Sequence, residues 1–352
     1  MSAPLPESAA PGTAAPILTV RDLKVHFPVP VGGGLFRREV MPLRAVDGVS
    51  FEVMPGETLG VVGESGCGKS TLGRAVLQLI APTAGQVVWM GRDIAGLDPG
   101  AMRPLRREMQ IIFQDPLASL DPRMTIGEIV AEPLRTHEPA LPRAEVRARV
   151  QAMLESVGLL PRMINRYPHE FSGGQCQRIG IARAMILRPR LVVCDEPVSA
   201  LDVSIQAQIV NLLTSLQREL GLSLIFISHN LAVVRHISHR ILVLYLGRMM
   251  ELADRDRLYG NPRHPYTQAL ISAVPIPDPV LERAKARLPI PGDPPSPLRP
   301  PSGCVFRTRC PKATELCARE VPVFEPVEDT AHRVACHYWR ETMPEAGKAV
   351  AA

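Results

Sequence analysis

The chain has 352 residues, of which 46% are hydrophobic and 21% charged, and its formal net charge is +5. This length exceeds that of one domain of usual size, so we expect a large domain with an appendage. The mild positive charge does not require nucleic acid, and an aromatic content of 4% argues against stacking platforms for bases, so no nucleic-acid partner is expected.

Hydropathy and the termini bear on where the protein resides. No apolar run approaches the roughly 18 residues that a membrane-spanning helix needs. Residues 1–16 are rich in Ala, Pro and Ser and lack the basic start and apolar block of a signal peptide, so they predict a disordered tail. A second such tail is expected over residues 341–352. We therefore expect a cytoplasmic protein, whose seven cysteines do not form a disulfide framework.

The first part of the chain predicts mainly strands. Prolines and glycines over residues 28–44 predict a loop or insertion, with Leu35-Phe36-Arg37-Arg38 at its tip. A turn is expected around Asp98-Pro99-Gly100. A helix-compatible run covers residues 71–80. Alternating or continuous apolar residues predict strands over 17–27, 45–53, 58–62, 86–90 and 109–113.

The pattern becomes helical from about residue 115 to 190, with apolar residues three and four apart. Strands then alternate with helices again, which predicts a mainly parallel sheet. We expect one α/β domain over residues 17–260 that carries a helical subdomain near 115–190. The chain has no internal repeat, which excludes a duplicated protein with two such domains. The later predicted strands cover residues 191–194, 222–227 and 241–246, and the longest later helix covers 203–220.

The stretch from Gly63 to Ser70 fits the phosphate-loop pattern G-x-x-x-x-G-K-[ST] and lies between a predicted strand and a predicted helix. Glycines let the backbone fold around a phosphate chain, and the amides at the helix start point towards it. Lys69 would add a cation for the β- and γ-phosphates, and the Ser70 hydroxyl would ligate Mg²⁺. The residues expected to bind the nucleotide are Gly63, Glu64, Ser65, Gly66, Cys67, Gly68, Lys69, Ser70 and Thr71.

Two adjacent acids end a buried strand at Asp195 and Glu196. Such a pair needs a cation or a reaction to serve, so Asp195 would hold Mg²⁺ and Glu196 would polarise the water that attacks the γ-phosphate. His229 follows a later strand and would donate a hydrogen bond to the γ-phosphate, although a lone histidine there is more often structural. Gln114 ends the strand before the helical insertion and is a hinge candidate.

Ser172-Gly173-Gly174-Gln175 opens a predicted helix. Serine is a common N-cap, but two glycines start a helix poorly unless a ligand approaches the backbone closely. A helix N-terminus with bare amides is an anion site. Because the chain already has a phosphate loop, this second element is best explained by the nucleotide of another subunit. Asp202 follows in a tight turn, which by itself indicates only helix capping.

Together these motifs, in this order, resemble the ATPase subunits of ABC transporters over about residues 17–260. The resemblance implies a P-loop ABC-type α/β fold with a mainly parallel sheet core, an antiparallel β part and a helical subdomain. It also implies that two subunits pack head to tail around two ATP molecules, so that Lys69 of one and residues 172–175 of the other contact the same nucleotide. Phe27 would stack on adenine. Cys176 replaces a basic residue common in relatives, and we expect altered packing there without lost catalysis.

The resemblance assigns roles to the motif residues. The implied catalytic residues are Glu196, His229, Lys69 and Gln114. The implied ligands of Mg²⁺ are Ser70, Gln114 and Asp195. Besides the phosphate loop, the implied nucleotide-binding residues are Phe27, Ser172, Gly173, Gly174, Gln175 and Asp202.

The composition shifts after residue 250. His264-Pro265-Tyr266-Thr267 opens a short helix to about residue 274, and ten prolines over residues 275–301 predict an extended linker. Four features resemble the ATPase subunits of oligopeptide/dipeptide importers, specifically the second of their two paired ATPases. They are the stretch at residues 264–267, the cysteines of the C-terminal part, the tip at residues 35–38 and the run at residues 200–208. The implied C-terminal, Cys-containing extension covers residues 261–340.

The cysteines of the extension are Cys304, Cys310, Cys317 and Cys336. Their spacing lacks the C-x2–4-C pairs of zinc sites and fails both common ferredoxin patterns. Some members of the resembled subfamily carry a [4Fe-4S] cluster at such cysteines. Free thiols, a zinc site and a [4Fe-4S] cluster therefore all remain open.

The sequence thus predicts an ATP-hydrolysing subunit of a peptide importer, with ATP and Mg²⁺ as cofactors, on the cytoplasmic face of the membrane. The implied partners are a second ABC ATPase subunit, two permease subunits and an extracytoplasmic substrate-binding protein. One alternative is an importer of another solute, such as nickel or a glutathione-like compound. A second is a soluble, non-transport ABC ATPase, which usually has two nucleotide domains or a long coiled-coil insertion. A third treats the tail as a metal-dependent interaction module.

Overall fold

A computed structural model describes residues 15–34, 37–275, 278–285, 287–328 and 330–341. The expected disordered tails at 1–16 and 341–352 lie almost wholly outside these ranges. Leu35 and Phe36 of the predicted tip also lie outside them.

The strands of the described residues form one sheet of eight strands and one of four. In chain order they are β1 (Leu18–Gly34), β2 (Arg37–Val53), β3 (Thr58–Val62), β4 (Ala84–Trp89), β5 (Arg92–Asp93), β6 (Met109–Ile112), β7 (Leu191–Asp195), β8 (Ser223–Ile227), β9 (Arg240–Tyr245), β10 (Arg248–Asp254), β11 (Glu325–Pro326) and β12 (Arg333–Val334).

The α-helices fall between the strands and in the C-terminal part of the chain. They are α1 (Lys69–Val76), α2 (Pro99–Arg106), α3 (Ile126–His137), α4 (Arg143–Ser156), α5 (Gly173–Met185), α6 (Val203–Leu220), α7 (Leu231–Ile237), α8 (Arg255–Gly260), α9 (Pro265–Ser272), α10 (Pro279–Ala284) and α11 (Glu315–Arg319).

The larger sheet has the order β11-β12-β10-β9-β3-β8-β7-β6, and the smaller one has the order β2-β1-β4-β5. Strands β6, β7, β8, β3 and β9 run parallel, whereas β10, β12 and β11 continue the larger sheet antiparallel. The smaller sheet is antiparallel throughout. These findings confirm the predicted mainly parallel core, and helices α3, α4 and α5 form the predicted helical part between β6 and β7.

The parallel strands alternate their side chains between two hydrophobic cores, as a period of two requires. Val61 and Val193 pack in the core shared with the smaller sheet and α1, whereas Val62 and Val192 pack in the core shared with the helical part. All four side chains are fully buried. Because both faces of these strands are covered, they read as continuous apolar runs in the sequence.

The prediction of a loop or insertion over residues 28–44 is wrong. Strand β1 continues to Gly34 and β2 begins at Arg37, so the two form a long antiparallel hairpin in which Pro28 lies opposite Pro42. Strand β1 also pairs with β4, but that pairing reaches only to Lys24. Beyond it the outer edge of β1 has no strand neighbour in the described residues, so a proline without an N–H is tolerated there.

The structure differs from the sequence-based expectations in four smaller details. Asp98 does not begin a simple turn: its side chain accepts hydrogen bonds from the amides of Gly100 and Ala101, at 2.8 and 3.1 Å, and caps α2. The first helix ends at Val76, before residue 80. Strand β10 was not predicted, and the proline-rich linker contains the short helix α10.

The extension adds strands to the larger sheet around a buried carboxylate. Strand β12 pairs with β10, and Glu251 on β10 is fully buried. Its oxygens accept hydrogen bonds from the amides of Arg263 and His264, at 2.7 and 2.9 Å. A third contact joins it to Nε2 of His332, at 2.6 Å. This network fastens three separate segments of the C-terminal half together.

In the part of the chain that the structure describes, the helices are too short or too polar to cross a membrane.

We expect the His332→Ala substitution to lower the free energy of unfolding by about 3 kcal/mol, because it removes one partner of a buried carboxylate. Urea denaturation followed by circular dichroism measures this loss. The matched control is Arg319→Ala, which removes a pair to Glu315 whose side chains are 74% and 85% exposed. That control should change the free energy by less than about 0.5 kcal/mol. If both substitutions lowered the free energy of unfolding equally, the proposed contribution of the Glu251 network to stability would be wrong.

Candidate nucleotide-binding site

The phosphate loop connects β3 to α1, and its shape depends on glycine. Gly68 precedes the helix with a φ of 103°. A Cβ at Gly68 would lie 2.0 Å from the carbonyl oxygen of Ala45, and one at Gly63 would lie 2.2 Å from that of Leu244. Both neighbours are backbone atoms that cannot rotate away, so only glycine fits at either position. Cys67, between them, is buried, and burial raises the pKa of its thiol.

The Lys69 ammonium group lies inside the loop. Its Nζ donates to the carbonyl oxygens of Gly63 and Glu64, at 2.8 and 3.0 Å, and the residue is only 4% exposed. These neutral carbonyls hold the cation without neutralising it. A triphosphate entering the loop would therefore meet an unneutralised positive charge.

Ser70 and Asp195 lie in direct contact. The Ser70 hydroxyl donates to Oδ1 of Asp195 at 2.6 Å, and Nη2 of Arg74 lies 3.5 Å from Oδ2. Asp195 is 1% exposed. A buried carboxylate beside a hydroxyl, both oxygen donors, suits a hard cation such as Mg²⁺.

Glu196 occupies the next position, with an unusual backbone. Its φ is 46°, a conformation that costs energy for a residue with a side chain. Its Oε2 accepts a hydrogen bond from Nε2 of Gln114 at 3.2 Å and lies 3.3 Å from Nδ1 of His229. The structure thus brings together around Glu196 two residues that are 82 and 33 positions away in the sequence.

The sheet explains this convergence. Strands β3, β8, β7 and β6 are parallel neighbours, so their carboxyl ends meet at one edge. The phosphate loop follows β3, the two acids end β7, and His229 follows β8. Gln114 follows β6. An edge of this kind, where the strands of an open α/β sheet end, is the usual ligand site.

Residues 172–175 do not join this group within the chain but cap their own helix. The Ser172 hydroxyl accepts from the amide of Gln175 at 3.4 Å, and Oε1 of Gln175 accepts from the amide of Ser172 at 3.0 Å. Gly173 and Gly174 are close to α6 and the turn before it: added Cβ atoms would lie 3.8 and 2.7 Å from Leu201 and Ile205.

The remaining predicted site residues are scattered. Phe27 lies on the β1 hairpin and is 36% exposed. Asp202 precedes α6 as its N-cap without a side-chain hydrogen bond to the helix. Cys176 is fully buried, with Sγ 3.6 Å from the carbonyl oxygen of Pro168. Its thiol therefore packs inside the helical part.

The four cysteines of the extension line one cavity of about 20 Å³, enough for one water molecule. None of them forms a disulfide. Burial raises the pKa of Cys304 to about 11 and that of Cys336 to about 12. Across the described ranges, no three His, Cys, Asp or Glu side chains are arranged to hold a single metal ion.

Three residues that contact the site were not predicted from the sequence. Arg74 lies one helical turn after Ser70, so its position near Asp195 was open to inference from helix geometry. Tyr266 and Arg309 contact Glu64 of the phosphate loop from more than 200 positions away. No local sequence signal points to either contact.

Comparison with protein families gives two matches along the chain. Residues 46–199 match the family described as ABC transporter. Residues 250–317 match the family described as the oligopeptide/dipeptide transporter C-terminal region.

Similar proteins cover most of the chain. The oligopeptide transport ATP-binding protein OppF of Escherichia coli is 62% identical over 91% of this chain and 95% of its own length. The oligopeptide transport ATP-binding protein AppF of Bacillus subtilis is 52% identical over 92% and 97%. Among solved structures, a dimeric ATP-binding cassette in a post-hydrolysis state with ADP and phosphate has a TM-score of 0.60 and 29% identity. That match covers 68% of this chain and 98% of the cassette.

We expect Glu196→Gln to lower the turnover of ATP by about 10²–10⁴-fold, because an amide cannot act as a general base. Nucleotide binding should stay within about twofold of the wild type, since Glu196 does not contact the phosphate loop. Steady-state phosphate release measures the first quantity, and equilibrium binding of a fluorescent ATP analogue measures the second. Glu219→Gln, at an exposed position near the end of α6, is the control. Normal turnover in the Glu196 variant would remove that residue from the assigned role.

Proposed function

The chain belongs to the ABC transporter ATPase family, and we propose that it is the ATP-hydrolysing subunit of an importer for oligopeptides or dipeptides. The observation that carries this proposal is the convergence of Lys69, Ser70, Asp195 and Glu196 at one sheet edge. The peptide as transported solute is supported by the names of the relatives, which match this chain over both the cassette and the extension. We divide the chain into a cassette over residues 17–260 and an extension over 261–340.

The proposed mechanism depends on positioning and charge. Lys69 exchanges its contacts with loop carbonyls for oxygens of the β- and γ-phosphates. Ser70, Asp195 and Gln114 are the proposed holders of Mg²⁺, which when bound offsets charge on the phosphate oxygens. Glu196 orients the attacking water, and His229, whose side chain is 56% exposed beside it, donates to the γ-phosphate. Phe27 is the proposed stacking partner of adenine.

Residues 172–175 support the proposal that this chain pairs with a second ATPase. These residues form the capped N-terminus of α5, where the helix dipole favours an anion, and they lie on a different element from the phosphate loop. We propose that they bind the nucleotide held by a second ATPase subunit, with Asp202 at the same contact.

The further proposed partners are two permease subunits and an extracytoplasmic binding protein, with this chain peripheral on the cytoplasmic face of the membrane. The segment after Gln114, where Leu117 is 55% exposed, is the proposed permease contact.

For the transported solute, we expect an assembled transporter in lipid vesicles to hydrolyse ATP at least several-fold faster when its binding protein carries an oligopeptide. Binding of a ligand to one state shifts the coupled equilibrium of the complex, which is the physical reason. The measurement compares ATP hydrolysis and uptake of labelled peptide, nickel and glutathione in the same vesicles. Lys69→Ala in this chain is the control for coupling. Stimulation by nickel or glutathione alone would replace the peptide proposal by the corresponding alternative.

For the extension, we propose a [4Fe-4S] cluster held by Cys304, Cys310, Cys317 and Cys336. Support comes from four unbridged thiols lining one cavity, a donor set typical of such clusters. The cavity as it stands admits only a water molecule, so its walls must part to receive a cluster. A zinc ion is less well supported, because the described side chains do not converge on one point. The cluster would cross-link the segments on which these cysteines lie.

We expect anaerobically purified protein to contain iron and acid-labile sulfide in equal amounts and to show a broad visible absorption. Cys310→Ser should lose both, because it removes one ligand of the set. Cys176→Ser, which changes a buried cysteine of α5 outside the set, should retain them. Zinc in place of iron, or neither metal, would overturn the cluster proposal. The metal and sulfide analyses do not depend on transport activity.

A further inference from the structure

Two residues of the extension form hydrogen bonds with Glu64 of the phosphate loop. The backbone amide of Glu64 donates to the hydroxyl of Tyr266 at 2.9 Å, and Oε2 of its carboxylate accepts from Nη1 of Arg309 at 2.7 Å. Its carbonyl oxygen accepts from Nζ of Lys69 at 3.0 Å. Glu64 is thus held from the extension side by two residues while its carbonyl holds the lysine of the loop.

Arg309 is itself fixed in place. Its side chain is 7% exposed, and its Nε donates to the carbonyl oxygen of Pro291 at 3.1 Å. Nη1 also lies 3.4 Å from the hydroxyl of Tyr245, and the guanidinium group lies 5.9 Å from the centre of that ring. The Glu64 side chain is 25% exposed, so the ion pair is largely removed from water. A charged hydrogen bond in such a place is worth more than a surface pair.

An aromatic cluster makes this connection stiff. The rings of Tyr245 and Tyr266 lie 4.8 Å apart, and Phe306 lies 5.2 and 5.3 Å from them. Tyr245 ends β9, Tyr266 lies on α9, and Phe306 is three positions before Arg309. All three rings are at most 1% exposed. The segment that carries Arg309 is therefore packed against the sheet directly beside the loop.

We propose that Arg309 and Tyr266 are positioning residues for nucleotide binding, through which the extension holds the phosphate loop ready for the phosphate chain. Without them, Glu64 is released and the loop occupies its binding-competent shape for only part of the time. The apparent dissociation constant then rises by the inverse of that fraction. This inference rests on the proposed role of residues 63–70 in binding phosphates, and it adds to it a function for the extension.

The test measures equilibrium binding of methylanthraniloyl-ATP with Mg²⁺ to the full chain. Arg309→Met should raise the dissociation constant about tenfold, the size expected for one lost hydrogen bond to a charged group. Tyr266→Phe removes only a hydroxyl and should raise it about fivefold. The control is Arg307→Met on the same segment, because Arg307 donates to Ser302 within the extension. The control should bind as the wild type does.

A double-mutant cycle separates positioning from general destabilisation. If the pair acts as a unit, Arg309→Met should have little further effect on the dissociation constant once Glu64→Gln is present. A purely structural role for Arg309 would lower the unfolding temperature and weaken binding equally in both backgrounds, which would overturn the proposal. Glu64→Gln alters the same pair from the loop side, so it carries the test alone if Arg309→Met fails to fold. In the assembled transporter, the variants should raise the KM for ATP more than they lower kcat.

Lys69→Ala distinguishes failure of the inference from failure of the proposed function. If Lys69→Ala binds the nucleotide as the wild type does, the phosphate-loop assignment itself is wrong. If Lys69→Ala abolishes binding while the Arg309, Tyr266 and Glu64 variants bind normally, only the positioning role is overturned.

Discussion

The alignment of parallel strands at one edge of the sheet is the constraint on which the candidate site depends. Strands β3, β8, β7 and β6 are hydrogen-bonded neighbours, and each delivers a different chemical group at its carboxyl end. The order of the sheet is not the order of the chain, so residues far apart in sequence meet there. The smaller sheet and the helical part cover the two faces and leave this edge to the polar groups. The order and direction of the strands therefore determine the geometry of the site, and the loops that follow the strands supply its residues.

The polar groups at this edge are held in place by contacts within the chain itself. Lys69 has carbonyl partners, Asp195 is buried beside a hydroxyl, and Glu196 keeps a φ of 46° that its side chain disfavours. Holding these groups in fixed positions costs folding free energy, but little reorganisation is then needed when charge develops during a reaction. The contacts from Tyr266 and Arg309 belong to the same pattern, since they hold a loop whose glycines alone would leave it flexible.

What the sequence could predict follows from the range of the interactions involved. Most of the strands, the phosphate-loop motif and the acids at the end of β7 are encoded in a few neighbouring residues, and the sequence predicted these elements. It failed at residues 28–44, because Pro28 and Pro42 indicate a loop unless the missing strand neighbour of the hairpin is known. It also missed the contact of Glu64 with Arg309, which joins positions 245 apart. No sequence pattern near Glu64 or near Arg309 predicts this contact.

The pairing of β12 with β10 has a consequence for the integrity of the whole sheet. With β11 and β12 in place, the backbone of Glu251 and Leu252 is hydrogen-bonded to the extension. A chain that ended before β12 would present this stretch as a bare edge strand carrying buried methionine and leucine side chains, a template for pairing with other copies. The C-terminal extension thus covers the β10 edge of the cassette, and its loss would expose that edge to pairing with other copies as well as remove Arg309 from the phosphate loop.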